Sequence, residues 1–230
     1  MENLVLNSAA SGVFISLAAY GIGSLVRKKW NSPLANPLLI AILLVILFLN
    51  LSGVEYETYN VSAKYLTYLL APATVSLAIP MYERMQLLKE NYAAILTGIL
   101  SGVLASLVCV LAMALVFHLS QAEYVTLLPK SVTTAIGMDI AKELGGHSEI
   151  AAAVIIITGV LGNMAAEPNC RIFALRQPGA KGIALGTSAH AIGTAKAMEM
   201  GETEGAMSSL AIVVAGVCTV VGATVFAGLL

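Results

Sequence analysis

The chain has 230 residues, of which 58% are hydrophobic and 11% charged, and its formal net charge is −1. Soluble domains average roughly 45–50% apolar and ~25% charged residues, so a soluble protein of this size could not cover its surface with so few charges. The composition therefore excludes a soluble globular protein, gives no basis for binding nucleic acid, and predicts an integral membrane protein in a lipid bilayer.

Six stretches are long and apolar enough to cross a bilayer, which takes about 20 residues in a helix. The third stretch contains Pro72 and Pro80, and a kink or an unwound turn is expected there. In chain order, the predicted spans are residues 4–26, 34–51, 61–81, 92–118, 150–169 and 206–229.

Two semi-polar stretches remain, residues 121–145 and 181–201, and both are rich in Ser, Thr and Gly. Each could be a full span, a soluble loop or a re-entrant hairpin. Cytoplasmic loops are enriched in Lys and Arg. If both stretches are hairpins, eight of the twelve Lys and Arg residues lie on one face of the membrane, and both termini lie outside. The basic residues therefore favour two hairpins. Those eight are Arg27, Lys28, Lys29, Arg84, Lys89, Arg171, Arg176 and Lys181.

An internal repeat supports the hairpins. Residues 131–145 (SVTTAIGMDIAKELG) align without a gap onto residues 187–201 (TSAHAIGTAKAMEMG), 56 residues later, with six identities. A repeat unit of one span and one hairpin crosses the membrane once, so the second copy starts on the opposite side and is inverted. Inverted repeats with broken helices near the midplane are typical of transporters. The predicted fold is an all-α membrane protein of about six transmembrane helices and two re-entrant or broken-helix hairpins. Residues 1–91 would form a three-helix scaffold, and residues 92–230 the transport part, of one membrane domain.

The predicted hairpin tips carry polar side chains where a half-helix would begin. Such a helix start directs free N–H groups and its positive dipole end at the midplane, which suits a small anion, especially a carboxylate. Two lysines could add positive charge, because ionisable residues inside a membrane are functional candidates by default. The predicted substrate-binding residues are Lys130, Ser131, Thr133, Thr134, Ser188, His190, Thr194 and Lys196.

Each charged candidate also has a structural alternative. Lys196 and Glu199 are three residues apart, a spacing at which helical neighbours pair. Lys130 could equally anchor the hairpin, and His190 could be a satisfied structural histidine. Glu143 and Glu199 occupy equivalent repeat positions, where capping of the hairpins or solvation at the membrane interface is the simpler role. His190, Glu143 and Glu199 are also the candidates for proton coupling.

The sequence contains no enzyme signature: there is no GxSxG, HExxH or P-loop motif. Ser188 and His190 are only two residues apart, which makes a poor catalytic dyad. Cys109, Cys170 and Cys218 are widely spaced and form no CxxC motif, so a disulfide framework or a zinc site is not expected. We therefore expect no enzymatic activity, no cofactor and no metal.

The chain resembles the LrgB/CidB family over almost its whole length. Four segments carry the resemblance: NPLLIAILLVI, LLAPATVSLAIPMYERMQLLKEN, LLPKSVTTAIGMDIAKELGG and GIALGTSAHAIGTAKAMEMGETEGAMSSLAIVVAGV. The PKSVTT and GTxxHAxGTA patterns are the most specific. The chain departs from the family at Ala135, where members commonly have proline after the two threonines. It departs again at Glu167 and Pro168, where a more apolar run is usual.

The resemblance implies two functions of different classes. The family was first described as antiholin-like, modulating murein hydrolases and autolysis beside a small partner, LrgA or CidA. It also includes bacterial pyruvate transport components and the plastid glycolate/glycerate transporter, in which LrgA-like and LrgB-like parts are fused. On this basis we expect a proton-coupled, elevator-like carrier of a small monocarboxylate in a bacterial plasma membrane, as a homo-oligomer with an LrgA/CidA-like partner. The alternative is an antiholin-like regulator without carrier activity, although a scaffold has no need for two buried polar tips.

Overall fold

The protein is built from α-helices, and the part of the chain that the structure describes contains no β-strand. The computed structural model describes residues 10–30 and 35–230. Contacts between residues divide the chain into two compact units, Met1–Ser76 and Leu77–Leu230. In chain order, the helices are α1 (Ser11–Lys29), α2 (Pro37–Ser52), α3 (Tyr56–Ala63), a 3-10 helix (Lys64–Leu69), α4 (Leu70–Ser76), α5 (Ala78–Glu83), α6 (Met85–Glu90), α7 (Tyr92–Phe117), α8 (Gln121–Leu127), α9 (Thr134–Glu143), α10 (Ser148–Ile172), α11 (Pro178–Met200) and α12 (Glu202–Ala227).

Three helices in the described residues are long and apolar enough to cross a membrane, namely α7, α10 and α12. They confirm the fourth, fifth and sixth predicted spans. Helices α1 and α2 overlap the first two predicted spans and end three residues and one residue beyond them; residues 4–9 and residue 34 of those spans lie outside the described residues. Helix α2 is apolar but has 16 residues, fewer than the ~20 of a typical span.

The third predicted span, residues 61–81, is not one continuous helix. The chain there passes from α3 through a 3-10 helix into the short helices α4 and α5. Pro72 and Pro80 each lie at the third position of one of these short helices. Proline lacks an N–H, and it is tolerated in a first turn because that N–H would have no partner within the helix. The interruption predicted from the two prolines is confirmed, and it goes further than a kink.

In the first unit, α1 packs closely against α2 and α3. The backbone N–H of Gly12 donates to Ser62 Oγ at 2.7 Å, and Ser16 Oγ lies 2.7 Å from Tyr59 Oη. Helix α2 begins where Asn36 Oδ1 accepts the N–H of Leu38 at 2.9 Å, which satisfies one of the free donors of its first turn. Small and hydroxyl-bearing residues thus let these helices approach closely.

In the second unit, the two faces of α7 differ. Ile99 and Val103 are buried in the core that α7 forms with α12. Leu100 and Leu104, on the opposite side, are 51% and 55% exposed. An apolar stripe of this kind is unfavourable in water and favourable against lipid chains. The exposed face of α7 therefore agrees with a helix that crosses a membrane.

Residues 121–145 form the first hairpin (hairpin 1), in which α8 and α9 are joined by a turn at residues 128–133. Ser120 and Glu123 form a capping box that starts α8, each side chain accepting the other's backbone N–H. After α9, the N–H of His147 donates to Thr126 Oγ1 at 2.8 Å. The chain has therefore returned to its starting side, and the first predicted hairpin is confirmed.

Helix α11 doubles back at its centre and forms the second hairpin (hairpin 2). Its backbone leaves the helical region at Ala189 (φ −128°, ψ 17°) and His190 (φ 42°, ψ −136°). In a continuous helix Leu185 and Gly193 would be about 12 Å apart along the axis. Instead, a β-carbon on Gly193 would lie 2.6 Å from the Leu185 carbonyl oxygen. The two arms are antiparallel, so the second predicted hairpin is confirmed; it begins at Pro178, since proline suits a first helical turn.

The two hairpins start from opposite ends of the second unit. Helix α12 follows hairpin 2 directly, so its first turn lies at the base of that hairpin. At the far end of α12, Tyr124 Oη donates to the Phe226 carbonyl at 2.9 Å and Gln121 Nε2 to the Ala227 carbonyl at 2.7 Å. Helix α12 has 26 residues, or about 39 Å. The predicted inverted repeat is confirmed.

Candidate functional site

The tip of hairpin 1 lies beside the middle of α7. Ser131 is 8% exposed, and its Oγ lies 3.1 Å from Ser106 Oγ. The Lys130 ammonium donates to the same Ser131 oxygen at 3.1 Å. Helix α9 begins three residues later, at Thr134, so its positive end is close to this group. The sequence therefore concentrates one cation, two hydroxyls and a helix start at the centre of a transmembrane unit.

The tip of hairpin 2 lies against the middle of α10. The His190 side chain is 3% exposed, and its Nε2–H donates to the Ile155 carbonyl at 3.0 Å. His190 has a positive φ, which is uncommon for a residue other than glycine and occurs where the surroundings hold the backbone in place. Thr194 Oγ1 donates to the His190 carbonyl at 3.0 Å and lies 2.7 Å from Ser208 Oγ. These contacts tie the tip of hairpin 2 to α10 and α12.

A cavity of about 1090 Å³ connects one end of the second unit with both hairpin tips. Asn91 and Phe173 line the cavity at this end and are exposed, and the lining residues Ser101 and Ser188 are exposed too, so the cavity is an open groove. It continues along α7 and ends at Ser106, Lys130 and Ser131. No Asp or Glu is among its lining residues, all of which belong to the second unit. The deep end of the cavity is therefore positively charged and rich in hydroxyl groups.

The predicted site residues fall into two groups. Lys130, Ser131 and Ser188 line the cavity, and the structure brings them together from the two hairpins. The Ser188 hydroxyl donates to the Ala184 carbonyl of its own helix at 2.6 Å. The remaining candidates do not line the cavity; they are Thr133 and Thr134 at the start of α9, His190 and Thr194 behind the second tip, and Lys196 on the second arm of hairpin 2.

Lys196 is held in a charge cluster at the base of hairpin 2. Its side chain is 8% exposed, and its ammonium contacts Glu167 at 2.8 Å and Glu199 at 3.3 Å. The predicted Lys196–Glu199 pair is present, and Glu167 of α10 is a partner that the sequence did not predict. Glu143, the repeat equivalent of Glu199, is exposed near the base of hairpin 1. The proton-coupling role predicted for His190, Glu143 and Glu199 stays a prediction.

Two residues at the deep end of the cavity were not predicted. Ser106 lies in the small-residue segment GILSGVLAS, which is typical of close helix packing, and neither Ser106 nor Thr187 is among the predicted site residues. A signal for Thr187 was available, because the 56-residue offset places it opposite Ser131 in the repeat. Ser106 had no such signal, since only the packed hairpin shows that it faces Ser131. No group of three or more His, Cys, Asp or Glu side chains in the described ranges could hold a metal ion.

Comparison with known proteins finds matches that cover most of the chain. The model of the LrgB-like family matches residues 16–229. The chain is 39% identical over 220 residues to antiholin-like protein LrgB of Bacillus subtilis (strain 168), covering 95% of each protein. It is 39% identical over 211 residues to antiholin-like protein LrgB of Bacillus mycoides (strain KBAB4), covering 91% of this chain and 92% of the relative. No solved structure matches it. The chain therefore belongs to the LrgB-like family.

Proposed function

We propose that this protein is a secondary carrier of a small monocarboxylate of the pyruvate, glycolate or glycerate type. The observation that carries the proposal is the cavity that ends at Lys130, Ser131 and Ser106 in the middle of the transmembrane unit. Placing a lysine at that depth costs at least a few kcal/mol. A carboxylate bound there would offset this cost, since hydrogen bonds between charged groups are the stronger ones.

The charge of the cavity supports a monocarboxylate over multiply charged anions. Lys130 is the cation in its wall, and the neighbouring hydroxyls are neutral donors. One positive charge matches one carboxylate and leaves a second carboxylate without a partner in a poorly solvated place. The hydroxyls of Ser106 and Ser131 can donate to the carboxylate oxygens or to an adjacent polar group.

The architecture supports transport rather than simple binding. Carriers built from inverted repeats hold their substrate near the midplane, between broken helices, and expose it alternately to the two sides. Here the cavity is open beside Asn91 and Phe173, at the base of hairpin 2. In the carrier that we propose, the inverted hairpin 1 would line the equivalent route at the opposite end after the protein changes state. An elevator-like, proton-coupled movement in a bacterial plasma membrane, as a homo-oligomer with an LrgA/CidA-like partner, is part of this proposal.

A second candidate function is antiholin-like regulation of murein hydrolases and autolysis without carrier activity. The names of the curated relatives, antiholin-like protein LrgB, favour it. A regulator of this kind would act through its surface and its partner, so it would not depend on the charge of a residue inside a cavity. Dependence on Lys130 therefore separates the two functions.

The test is uptake of labelled pyruvate and glycolate into liposomes that contain the purified protein, alone and with an LrgA/CidA-like partner. We expect Lys130→Gln to lower uptake at limiting substrate by at least about tenfold, because it removes a charged hydrogen bond. Lys142→Gln is the matched control, since Lys142 lies exposed on α9 of the same hairpin, and we expect it to transport normally.

Absence of uptake in the presence of the partner would contradict the carrier and favour the second candidate. In that case Lys130→Gln should leave the autolysis rate of cells that express the protein unchanged. Uptake that is equal in the Lys130→Gln and Lys142→Gln variants would instead show that the carrier's site lies elsewhere.

A further inference from the structure

The two repeats contribute equivalent hydroxyl residues to the same cavity, but the two hydroxyls differ in their contacts. Ser131 of hairpin 1 and Thr187 of hairpin 2 are 56 residues apart, which is the offset of the repeat, and both line the cavity. The Ser131 oxygen is in contact with Lys130 and Ser106. Thr187 Oγ1 is buried and has no hydrogen-bond partner. Among the described residues, no other buried side-chain oxygen or nitrogen lacks a partner.

The position of the Thr187 side chain is closely constrained. The residue is 5% exposed, and it packs on Gly102 of α7 so tightly that a β-carbon there would lie 2.7 Å from the threonine methyl group. A buried hydroxyl without a partner lowers stability. Valine would fill the same volume without this cost, yet the residue here is threonine. An unpaired hydroxyl in the wall of a cavity indicates that its hydrogen bond is made with a ligand.

Ser131 and Thr187 pack against neighbouring positions of α7. Thr187 packs on Gly102, and Ser131 contacts Ser106. Positions four apart on a helix are neighbours on its surface, about 5–6 Å from each other. An acid of two or three carbons could therefore place its carboxylate at Lys130 and Ser131 and its other end at Thr187.

We propose that Thr187 determines substrate specificity by forming a hydrogen bond with a polar group next to the carboxylate, such as a hydroxyl or oxo group on the second carbon. This inference rests on the proposed carrier function. The charged side of the site, on hairpin 1, binds the feature that all monocarboxylates share. The neutral hydroxyl on hairpin 2 favours acids that carry a second polar group, because an acid without one leaves Thr187 unpaired.

The experiment compares glycolate with acetate, which differ by one hydroxyl group. Affinity of the purified protein for each acid is measured by competition against labelled pyruvate uptake and by isothermal titration. We expect Thr187→Val to weaken glycolate about tenfold while changing acetate by less than about twofold, because one neutral hydrogen bond is lost. Thr187→Ser, which keeps the hydroxyl, should preserve the glycolate preference. Thermal unfolding shows whether each variant is folded, and Thr187→Ala replaces the valine variant if that one is not.

The outcomes separate this inference from the carrier proposal. Transport by Thr187→Val or Thr187→Ala with an unchanged ratio of glycolate to acetate affinity overturns the role of Thr187 and leaves the carrier intact. Equal weakening of both acids also overturns it, because that result describes a structural residue. If the unaltered protein neither binds nor transports any of the three acids with its partner present, the carrier proposal fails and this inference fails with it.

Discussion

His190 shows how a single residue can hold a hairpin tip in place. Its backbone is in the left-handed region, and its ring donates to the Ile155 carbonyl. A positive φ costs about 1–3 kcal/mol for a residue other than glycine, so the contacts around the ring must stabilise the tip by at least a comparable amount. Gly159 of α10 is one of these contacts, because a β-carbon there would lie 2.7 Å from both Cε1 and Nε2 of the ring.

We expect Gly159→Ala to destabilise the protein by about 1–3 kcal/mol, since the added methyl group would push the His190 ring away from Ile155. Gly98→Ala is the control, because a β-carbon at Gly98 would meet Ile183 at an ordinary 3.5 Å. Alanine is favoured over glycine in a helix by about 1 kcal/mol, so that variant should be equally or more stable. Thermal unfolding in detergent measures both, and equal stability of the two variants would contradict the role of this contact.

Sequence reasoning at the residue scale found the types of residue better than their directions. Lys130, Ser131 and Ser188 were predicted and do line the cavity. His190 was predicted for the same place, yet its ring turns toward α10. A hairpin tip has two sides, and only the packing of the neighbouring helices decides which side faces the cavity. Ser106 was missed for the same reason, because a serine in a small-residue helix segment equally fits helix packing.

At the scale of helices, the charge cluster of Lys196 connects hairpin 2 to a transmembrane helix. Lys196 is on the second arm of the hairpin, Glu199 is on the same arm, and Glu167 is on α10. The contact with Glu167 therefore joins two elements, whereas the contact with Glu199 stays within one. Both glutamates are about half exposed, so solvent weakens each pair relative to a buried one.

We expect Glu167→Gln to lower the free energy of unfolding by about 1 kcal/mol, and Glu199→Gln to lower it by less. The physical reason is that Glu167 makes the shorter contact and that losing it leaves the buried Lys196 ammonium with a weaker set of partners. Thermal unfolding of the two variants in the same detergent gives the comparison. A larger loss of unfolding free energy for Glu199→Gln would show that the cluster stabilises the second arm of hairpin 2 itself and not its contact with α10.

Both hairpins could be predicted from the sequence, whereas the broken stretch at residues 61–81 could be predicted only in part. The hairpins carry two independent signals, a repeat in the sequence and the distribution of basic residues. For residues 61–81 there was composition alone, and composition does not distinguish a kinked span from several short helices. Pro72 and Pro80 correctly indicated an interruption, but its extent depends on how the flanking turns are packed.

For the whole molecule, the inverted repeat fixes which parts of the second unit share an end. Arg171 at the end of α10 is at the base of hairpin 2, where the cavity is open, and Gln121 is at the base of hairpin 1, beside the end of α12. Which end faces the cytoplasm follows from the basic residues, because Lys and Arg are enriched in cytoplasmic loops. Arg84, Arg171 and Lys181 are accordingly predicted on the cytoplasmic side.

We expect Arg171→Cys to react with an impermeant thiol reagent only from the cytoplasmic side, and Gln121→Cys only from outside. Both residues are exposed, and the background is a variant in which Cys109, Cys170 and Cys218 are replaced by serine. Labelling of intact cells and of inside-out vesicles makes the comparison. Labelling of Arg171→Cys from outside would reverse the predicted orientation, and labelling of both positions from the same side would contradict the hairpins themselves.

The bonds between hairpin 1 and the end of α12 have a consequence for biosynthesis. Gln121 and Ala227 are 106 residues apart in the chain, and a ribosome adds about 5–20 residues per second. Hairpin 1 therefore emerges roughly 5–20 s before the helix end that holds its base exists. During that interval it is a short, polar segment that no bilayer would retain as a stable span by itself. The second unit consequently reaches its final form only after translation has passed α12, and a chain truncated before Phe226 would leave the base of hairpin 1 without these two hydrogen bonds.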